Sequence, residues 1–247
     1  MTTLNQNAQV CGVISGLYRY PVKSMRGESL PEAHLSWHGL DGDRRYAFVR
    51  QGANSGFPWF TGRELPQLLL YTPRLLQPEE PHQSPVEVTT PDGRRLLLDA
   101  PELTAELDQA YGKPIFLFRL GRGAFDSQVL SLMSTASVTA LGESAMMPLE
   151  SSRFRQNILI ETRDGRPFQE EEWLDRVLIF GSNLDGPRVR INRRIVRCVM
   201  VNIDPGTAER DPRVLKTVAQ TRDSCAGVYA SVEKPGIVRV GDPVTIM

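Results

Sequence analysis

Short runs in which apolar and small or polar residues alternate, each stopped by proline, glycine or aspartate, fill most of this 247-residue sequence. A period of two puts every second side chain on one face, which suits a half-buried strand and not an amphipathic helix. VCGVISGLYRYPV, from Val10 to Val22, is the first such run, and Pro21 closes it. LPEAHLSW and RRYAFVR read as two further strands joined by the turn-rich HGLDGD. LPQLLLYTPRLL is apolar and bounded by prolines, and PVEVTTPDGRRLLLDA reads as a hairpin turning at Pro-Asp-Gly. IFLFRL reads as a buried strand, and the break between these runs is widest in the loop Leu76–Pro85. Further on, RFRQNILIET, VLIFGS, VRVRINRRIVR and CVMVNID read as strands, and GVYASVEKPGIVRVGDPVTIM as a closing hairpin around Lys-Pro-Gly.

Helical patterns are few. PELTAELDQAYG has a proline start, apolar spacing and a terminal glycine. STASVTALGESAM offers Ser134 or Ser137 as a cap. PRVLKTVAQTR places Val214, Leu215 and Val218 on one face, and FQEEEWLDRV is a short acidic segment with helical turns. Many short strands with few helices predict a β-rich α+β fold built from barrels.

Formal net charge is zero, so nothing global indicates a nucleic-acid or membrane partner. Yet 25 arginines stand against 4 lysines, enough for local guanidinium clusters that suit phosphate. The start, MTTLNQNAQVCGVISGL, has no basic segment followed by an apolar core and reads neither as a signal nor as a transit peptide. No run approaches the roughly 18 apolar residues of a spanning helix. Cys11, Cys198 and Cys225 are too widely spaced for a disulfide framework or a zinc pattern, which fits a cytoplasmic protein. His34 and His38 lie four apart, but no acidic third ligand follows closely. Neither an iron–sulfur spacing nor a G-x-G-x-x-G loop occurs, so no cluster is expected in this chain.

Four motifs carry basic residues near a strand end, YPVKSMRG, DGDRRYAF, TGREL and RFRQN, and a fifth, FDSQ, sets a carboxylate beside a hydroxyl. A cation with a hydroxyl donor suits a phosphate oxygen. Singly, each such motif is more often a solvated turn; together they ask whether the fold makes them converge.

YPVKS, D-R-x-Y, T-x-R-x-x-P-x-L, R-x-R-x-N, E-x-x-W, R-C with a later D-P, and PG-x-V-x-VGD occur in this order. Over nearly the whole chain they resemble the MOSC family, its amidoxime-reducing and YcbX-type members above all. The resemblance implies a MOSC N-terminal β-barrel region over residues 8–118, packed on a MOSC β-barrel domain with short helices over 119–247. It also implies a molybdenum cofactor, a pterin with a dithiolene and a terminal phosphate. Carried over by motif, Lys23, Ser24, Arg44 and Arg63 would face the cofactor, and Asp126 and Ser127 would bond the pterin edge. Arg155 and Asn157 would lie on a pocket strand, with Asn192, Arg193 and Arg194 as further candidates. Guanidinium forks and a lysine suit phosphate, while amides and carboxylates suit pterin nitrogens.

In the amidoxime-reducing relatives a cysteine thiolate binds molybdenum six residues after the leucine of a Leu-Lys pair. Here that pair is Leu215-Lys216, and the position holds Thr221. A hydroxyl is a poor match for a soft metal site. Cys225 follows four residues on, with Arg222 nearby and Ser224 and Gly227 to let the backbone approach. It is the expected metal ligand and reactive thiol, with Thr221 and Arg222 on the pocket rim and Asp126 as the acid–base carboxylate. Cys198 matches an Arg-Cys pair that the resemblance sets close to the pocket without making it the usual ligand, and with Val199, Met200 and Val201 after it the residue reads as a buried strand cysteine.

The resemblance implies reduction of N-hydroxylated or N-oxygenated small molecules, with electrons from a separate ferredoxin- or flavin-type protein. The alternatives are a sulfur carrier bearing a persulfide on Cys225, and a cofactor carrier without chemistry of its own. Pyridoxal phosphate is not expected, because none of Lys23, Lys113, Lys216 and Lys234 stands in a Schiff-base context.

Overall fold

The computed structural model describes residues 8–121 and 123–247. Its first part runs β1 (Gln9–Arg19), β2 (Glu28–Leu30), β3 (Glu32–Ser36), β4 (Gly39–Leu40), β5 (Tyr46–Arg50), β6 (Thr72–Leu75), β7 (Val86–Thr89), β8 (Arg95–Leu97), α1 (Pro101–Tyr111) and β9 (Ile115–Arg119). The second part runs β10 (Leu130–Ser134), α2 (Thr135–Ala145), β11 (Ile158–Thr162), β12 (Val177–Phe180), β13 (Arg188–Val196), α3 (Arg213–Arg222), β14 (Cys225–Lys234), β15 (Gly236–Arg239) and β16 (Pro243–Ile246). The helices form where the capping signals lie. Pro101 opens α1 and left-handed Gly112 ends it, while the Ser134 hydroxyl accepts the Ser137 N–H at the start of α2.

Seven strands close into a barrel in the order β11, β10, β14, β13, β12, β16, β1, and β1 pairs with β11 to complete the ring. Only β10 and β11 run parallel within it. The strand that shuts this barrel, β1, lies on the other side of the expected division at residues 118/119, more than a hundred residues from β11. Gly12 is what lets it in, because a Cβ there would stand 2.5 Å from the Glu161 carbonyl oxygen of β11. Inside the ring, Ile14 and Leu17 of β1 pack with Leu132, Ile160, Leu178 and Ile191. Outside it, α2 and α3 cover a smaller cluster around Met133, Phe154 and Val218.

A second core belongs to the first part. Phe48, Phe60, Leu68, Val88, Leu103 and Leu107 pack between the β5–β9 ribbon, the β6–β7–β8 sheet and α1. Among the described residues the result is the β-rich, barrel-based architecture that the alternating runs predict, with three α-helices. Among the described residues no helix is long and apolar enough to cross a membrane.

Four local expectations differ. IFLFRL is half open, with Phe116 and Phe118 each 45% exposed, because β9 pairs only with β5. RFRQN is a 3-10 turn ending in left-handed Arg155; adjacent Arg153 and Phe154 are both buried, which strand alternation cannot provide. CVMVN is another 3-10 turn, in which Val199 is exposed and Val201 buried although a strand would put both on one face. The closing segment is no hairpin. Both edges of β14 are taken by β10 and β13, so β15 pairs with β3, and β16 fits between β12 and β1.

Candidate functional site

One open cleft, about 840 Å³ of empty space continuous with solvent, lies between segments of both parts. Lys23, Ser24, Arg44, Phe57 and Arg63 line it from the first part, and Asp126, Arg153, Arg155, Asn157, Arg197, Cys198 and Tyr229 from the second. Three of these residues, Ser24, Arg44 and Arg155, hold left-handed backbone conformations with φ of 66°, 50° and 53°. A non-glycine residue in that region costs on the order of 1–3 kcal/mol, and such strain collects at ligand sites.

The charge is one-sided. The Lys23 ammonium is buried and donates to the Ala124 carbonyl at 2.8 Å and to the Asp126 carboxylate at 2.5 Å. Burial pulls Lys23 below the usual lysine range against the opposing pull of Asp126. Burial alone would raise Asp126, but Lys23, Arg63 and Arg44 outweigh it and hold the carboxyl below its ordinary value. Arg44 pairs with Asp43 and donates to the Arg155 carbonyl at 3.0 Å. Arg155 and Arg197 are each pushed down to about 10 by burial and remain charged at neutral pH. Arg153 is tied to Asp204 at 2.7 Å. Burial raises the Tyr229 phenol, which stays protonated at neutral pH.

Cys198 faces this cluster. Its sulfur accepts from the Arg63 guanidinium at 3.5 Å. Three buried guanidinium nitrogens of the lining, Arg63 Nε, Arg153 Nε and Arg197 Nη2, have no hydrogen-bond partner among the described residues. Buried donors left unpaired are expensive, so a site that concentrates them is built for acceptors from outside the chain. Six cations, unpaired N–H groups and one thiol fit a ligand that carries phosphate and sulfur-bound metal.

The structure brings Lys23, Ser24, Arg44, Arg63, Asp126, Arg155 and Asn157 to one cleft, though their roles differ. Asn157 is spent internally: its carbonyl accepts from the Ser131 N–H and hydroxyl, and its amide donates to the Tyr18 carbonyl. Ser127 lies outside the lining and takes a hydrogen bond from Arg193. Arg194 and Arg222 turn away to share Glu171, and Arg222 also covers the Phe168 ring at 3.9 Å. Thr221 is in the last turn of α3, where its exposed hydroxyl returns to the Thr217 carbonyl.

Cys225 is displaced from the cleft. No loop remains to carry it there: α3 runs to Arg222, and Asp223 and Ser224, both left-handed, turn the chain directly into β14. Cys225 opens that strand opposite Val196 and is 8% exposed, off the cleft lining. The cleft thiol is Cys198 instead, on the 3-10 turn that replaced the expected strand. Arg197, Arg153 and Phe57 are lining residues that the sequence reading did not single out. The R-C pair was the available signal for Arg197.

The Lys23–Asp126 pair can be tested directly. The Asp126 carboxyl is expected to titrate below the ordinary value of about 3.9, so its ion pair persists above that pH and fails as pH falls through the lowered midpoint. Carbon-13 NMR of the carboxyl reads the midpoint, and Lys23→Met should raise it. An unchanged midpoint in that variant would mean that Lys23 does not set the Asp126 charge.

A MOSC domain family model matches residues 119–245, and a MOSC N-terminal beta barrel domain model matches residues 11–113. Mitochondrial amidoxime-reducing component 1 of Homo sapiens is 26% identical over 302 aligned residues, covering 97% of this chain and 84% of that protein. The Xenopus laevis protein of the same name is 24% identical over 97% of this chain and 83% of its own length. A molybdenum cofactor sulfurase of Drosophila grimshawi is 32% identical over 47% of this chain and 15% of that protein. The crystal structure of the YuaD protein from Bacillus subtilis shares the fold at a TM-score of 0.54, with 14% identity over 97% of both chains.

Proposed function

Because the chain belongs to the MOSC domain family, we propose that the cleft holds the molybdenum cofactor and that the protein reduces N-hydroxylated or N-oxygenated compounds with it. The observation that carries this reading is the gathering of Lys23, Arg44, Arg63, Arg155 and Arg197 around the Cys198 thiol in one cleft. The names of the amidoxime-reducing relatives support the substrate class, and that of the sulfurase relative supports the cofactor. Bound there, the cofactor would supply a two-electron exchange at its metal.

This chain's residues have separable tasks. Arg44, Arg63 and Arg155 offset ligand charge, with guanidinium forks that match phosphate oxygens. Lys23 fixes Asp126, and the ionised Asp126 accepts hydrogen bonds from ligand N–H groups. Held ionised at neutral pH, Asp126 has no proton to give, so in this reading its acid–base role is that of a base. Tyr229 keeps its proton and lines the wall, so it is the residue placed to donate a hydrogen bond to substrate. Cys198 is the soft donor for the metal. Overall, an N–OH group takes two electrons and two protons, the N–O bond breaks, and N–H and water form. The electrons come from a separate ferredoxin- or flavin-type protein.

The test is production in a host that synthesises the cofactor, followed by molybdenum and pterin analysis. A chemically reduced viologen then drives conversion of an aromatic amidoxime to its amidine. About one cofactor per chain with turnover supports the reading. Protein without metal or pterin overturns it, and cofactor without turnover leaves only a carrier. A mass increase of one sulfur atom on the peptide bearing Cys198 would favour sulfur transfer, moved from the buried Cys225.

A further inference from the structure

Two of the cleft arginines rest on one aromatic ring. Tyr20, 2% exposed, lies beneath Arg44 and Arg155, whose guanidinium carbons stand 4.8 and 4.4 Å from its centroid. The same residue is fastened to both segments that carry these arginines. Its N–H donates to the Asp43 carboxylate at 2.7 Å, and its carbonyl accepts the Arg44 N–H at 2.7 Å. Its hydroxyl donates to the Gln156 carbonyl at 3.3 Å, next to Arg155. Arg44 in turn donates to the Arg155 carbonyl at 3.0 Å, and Arg155 to the Met25 carbonyl at 2.7 Å.

Two partly buried guanidiniums repel one another, and both of these sit on left-handed backbone that is costly to hold. A ring offers each cation its negative face and offsets part of that repulsion. The phenol stays neutral, since burial pushes it up to about 12. Space for the ring is made by Gly27, where a Cβ would stand 2.5 Å from a ring carbon.

We infer that Tyr20 is a positioning residue: its ring, seated over Gly27, holds Arg44 and Arg155 as a preformed pair for a phosphoryl group of the ligand. The inference deepens the function proposed above and rests on its anion-binding cleft. Tyr20 itself touches no ligand. Its contribution is to fix in advance two forks that would otherwise separate, so the ordering cost is met before binding.

Inorganic phosphate is the probe, titrated by calorimetry into cofactor-free protein at low salt, with molybdenum and pterin content measured on protein from the cofactor-competent host. Tyr20→Leu should weaken phosphate binding about tenfold, because two cation–ring contacts are lost while every charge remains. Tyr20→Phe should restore binding to within about twofold, since the ring remains and one 3.3 Å hydrogen bond is lost. Gly27→Ala, which displaces the ring without touching a charge, should also weaken it, and it serves if Tyr20→Leu does not fold. All titrations run where circular dichroism shows each variant folded, so lost stability alone cannot mimic the result. Wild-type affinity in both Tyr20→Leu and Gly27→Ala overturns the inference, as does Tyr20→Phe binding no better than Tyr20→Leu. Wild-type protein that binds no phosphate also overturns it. Ring-dependent phosphate binding in a protein that never carries molybdenum would uphold Tyr20 and sink the cofactor reading instead.

Discussion

Cys198→Ala is expected to lower amidoxime turnover at least about tenfold, whereas Cys225→Ala leaves it within about twofold. Even outer-shell partners of metal ligands are worth about 10–100-fold, and a ligand should not be worth less. Cys198 lines the cleft, and its sulfur lies 3.5 Å from the Arg63 guanidinium, which sets a positive charge beside it. Cys225 is buried in β14 against β13 and can only lose packing when shortened. Turnover per bound cofactor separates the two, and sulfur X-ray absorption at molybdenum should lose one scatterer in Cys198→Ala alone. If the Cys225 variant is the one that fails, the chain must rearrange at Asp223–Ser224, and the Cys198 assignment is wrong.

The largest expected effect on stability comes from Leu17→Ala. Leu17 is 0% exposed near the C-terminal end of β1, registered against Ile158 of β11 on one side and Leu30 of β2 on the other. Truncating a buried leucine removes transfer energy and leaves a cavity, together about 3 kcal/mol. For a chain of this size that lowers Tm by roughly 6–12 °C. Val13→Ala on the same strand is the control: that side chain is 38% exposed, and its loss should cost under about 1 kcal/mol. Calorimetry of the two variants decides the matter, and equal shifts would mean that β1 is not a core strand of the barrel.

Much of this was legible locally. The proline and glycine that bound α1, the Ser134 cap and the alternating runs of β1, β7 and β13 are each decided by neighbours in sequence. The cleft was legible only through the motifs, since Lys23 meets Asp126 across more than a hundred residues. What sequence could not show was which side of each motif faces inward. Asn157 sits in the right segment, yet Ser131 and Tyr18 consume its amide. Arg194 and Arg222 are basic and close by, but Glu171 draws both away from the cleft. Cys198 was hidden for a different reason. CVMVN has the composition of a strand, and only the unequal burial of Val199 and Val201 reveals the turn that presents the thiol. Cys225 was favoured because it lies four residues from Thr221, with Arg222 nearby and Ser224 and Gly227 to let the backbone approach. Asp223 and Ser224 are instead a two-residue reversal with no length to spare.

The way β1 shuts the second barrel has a consequence for the order of events during synthesis. β1 leaves the ribosome early, but its two barrel partners, β11 and β16, appear about 140 and 230 residues later. Until then its apolar face and both its backbone edges have no mates within the ring, a state that invites wrong pairing. Pairings this distant in sequence also slow folding, because the intervening chain must be closed before the contact repays it. β1 therefore waits on β16, while the second core of the first part needs neither partner, and the cleft, whose walls come from both parts, forms only after the second part is made.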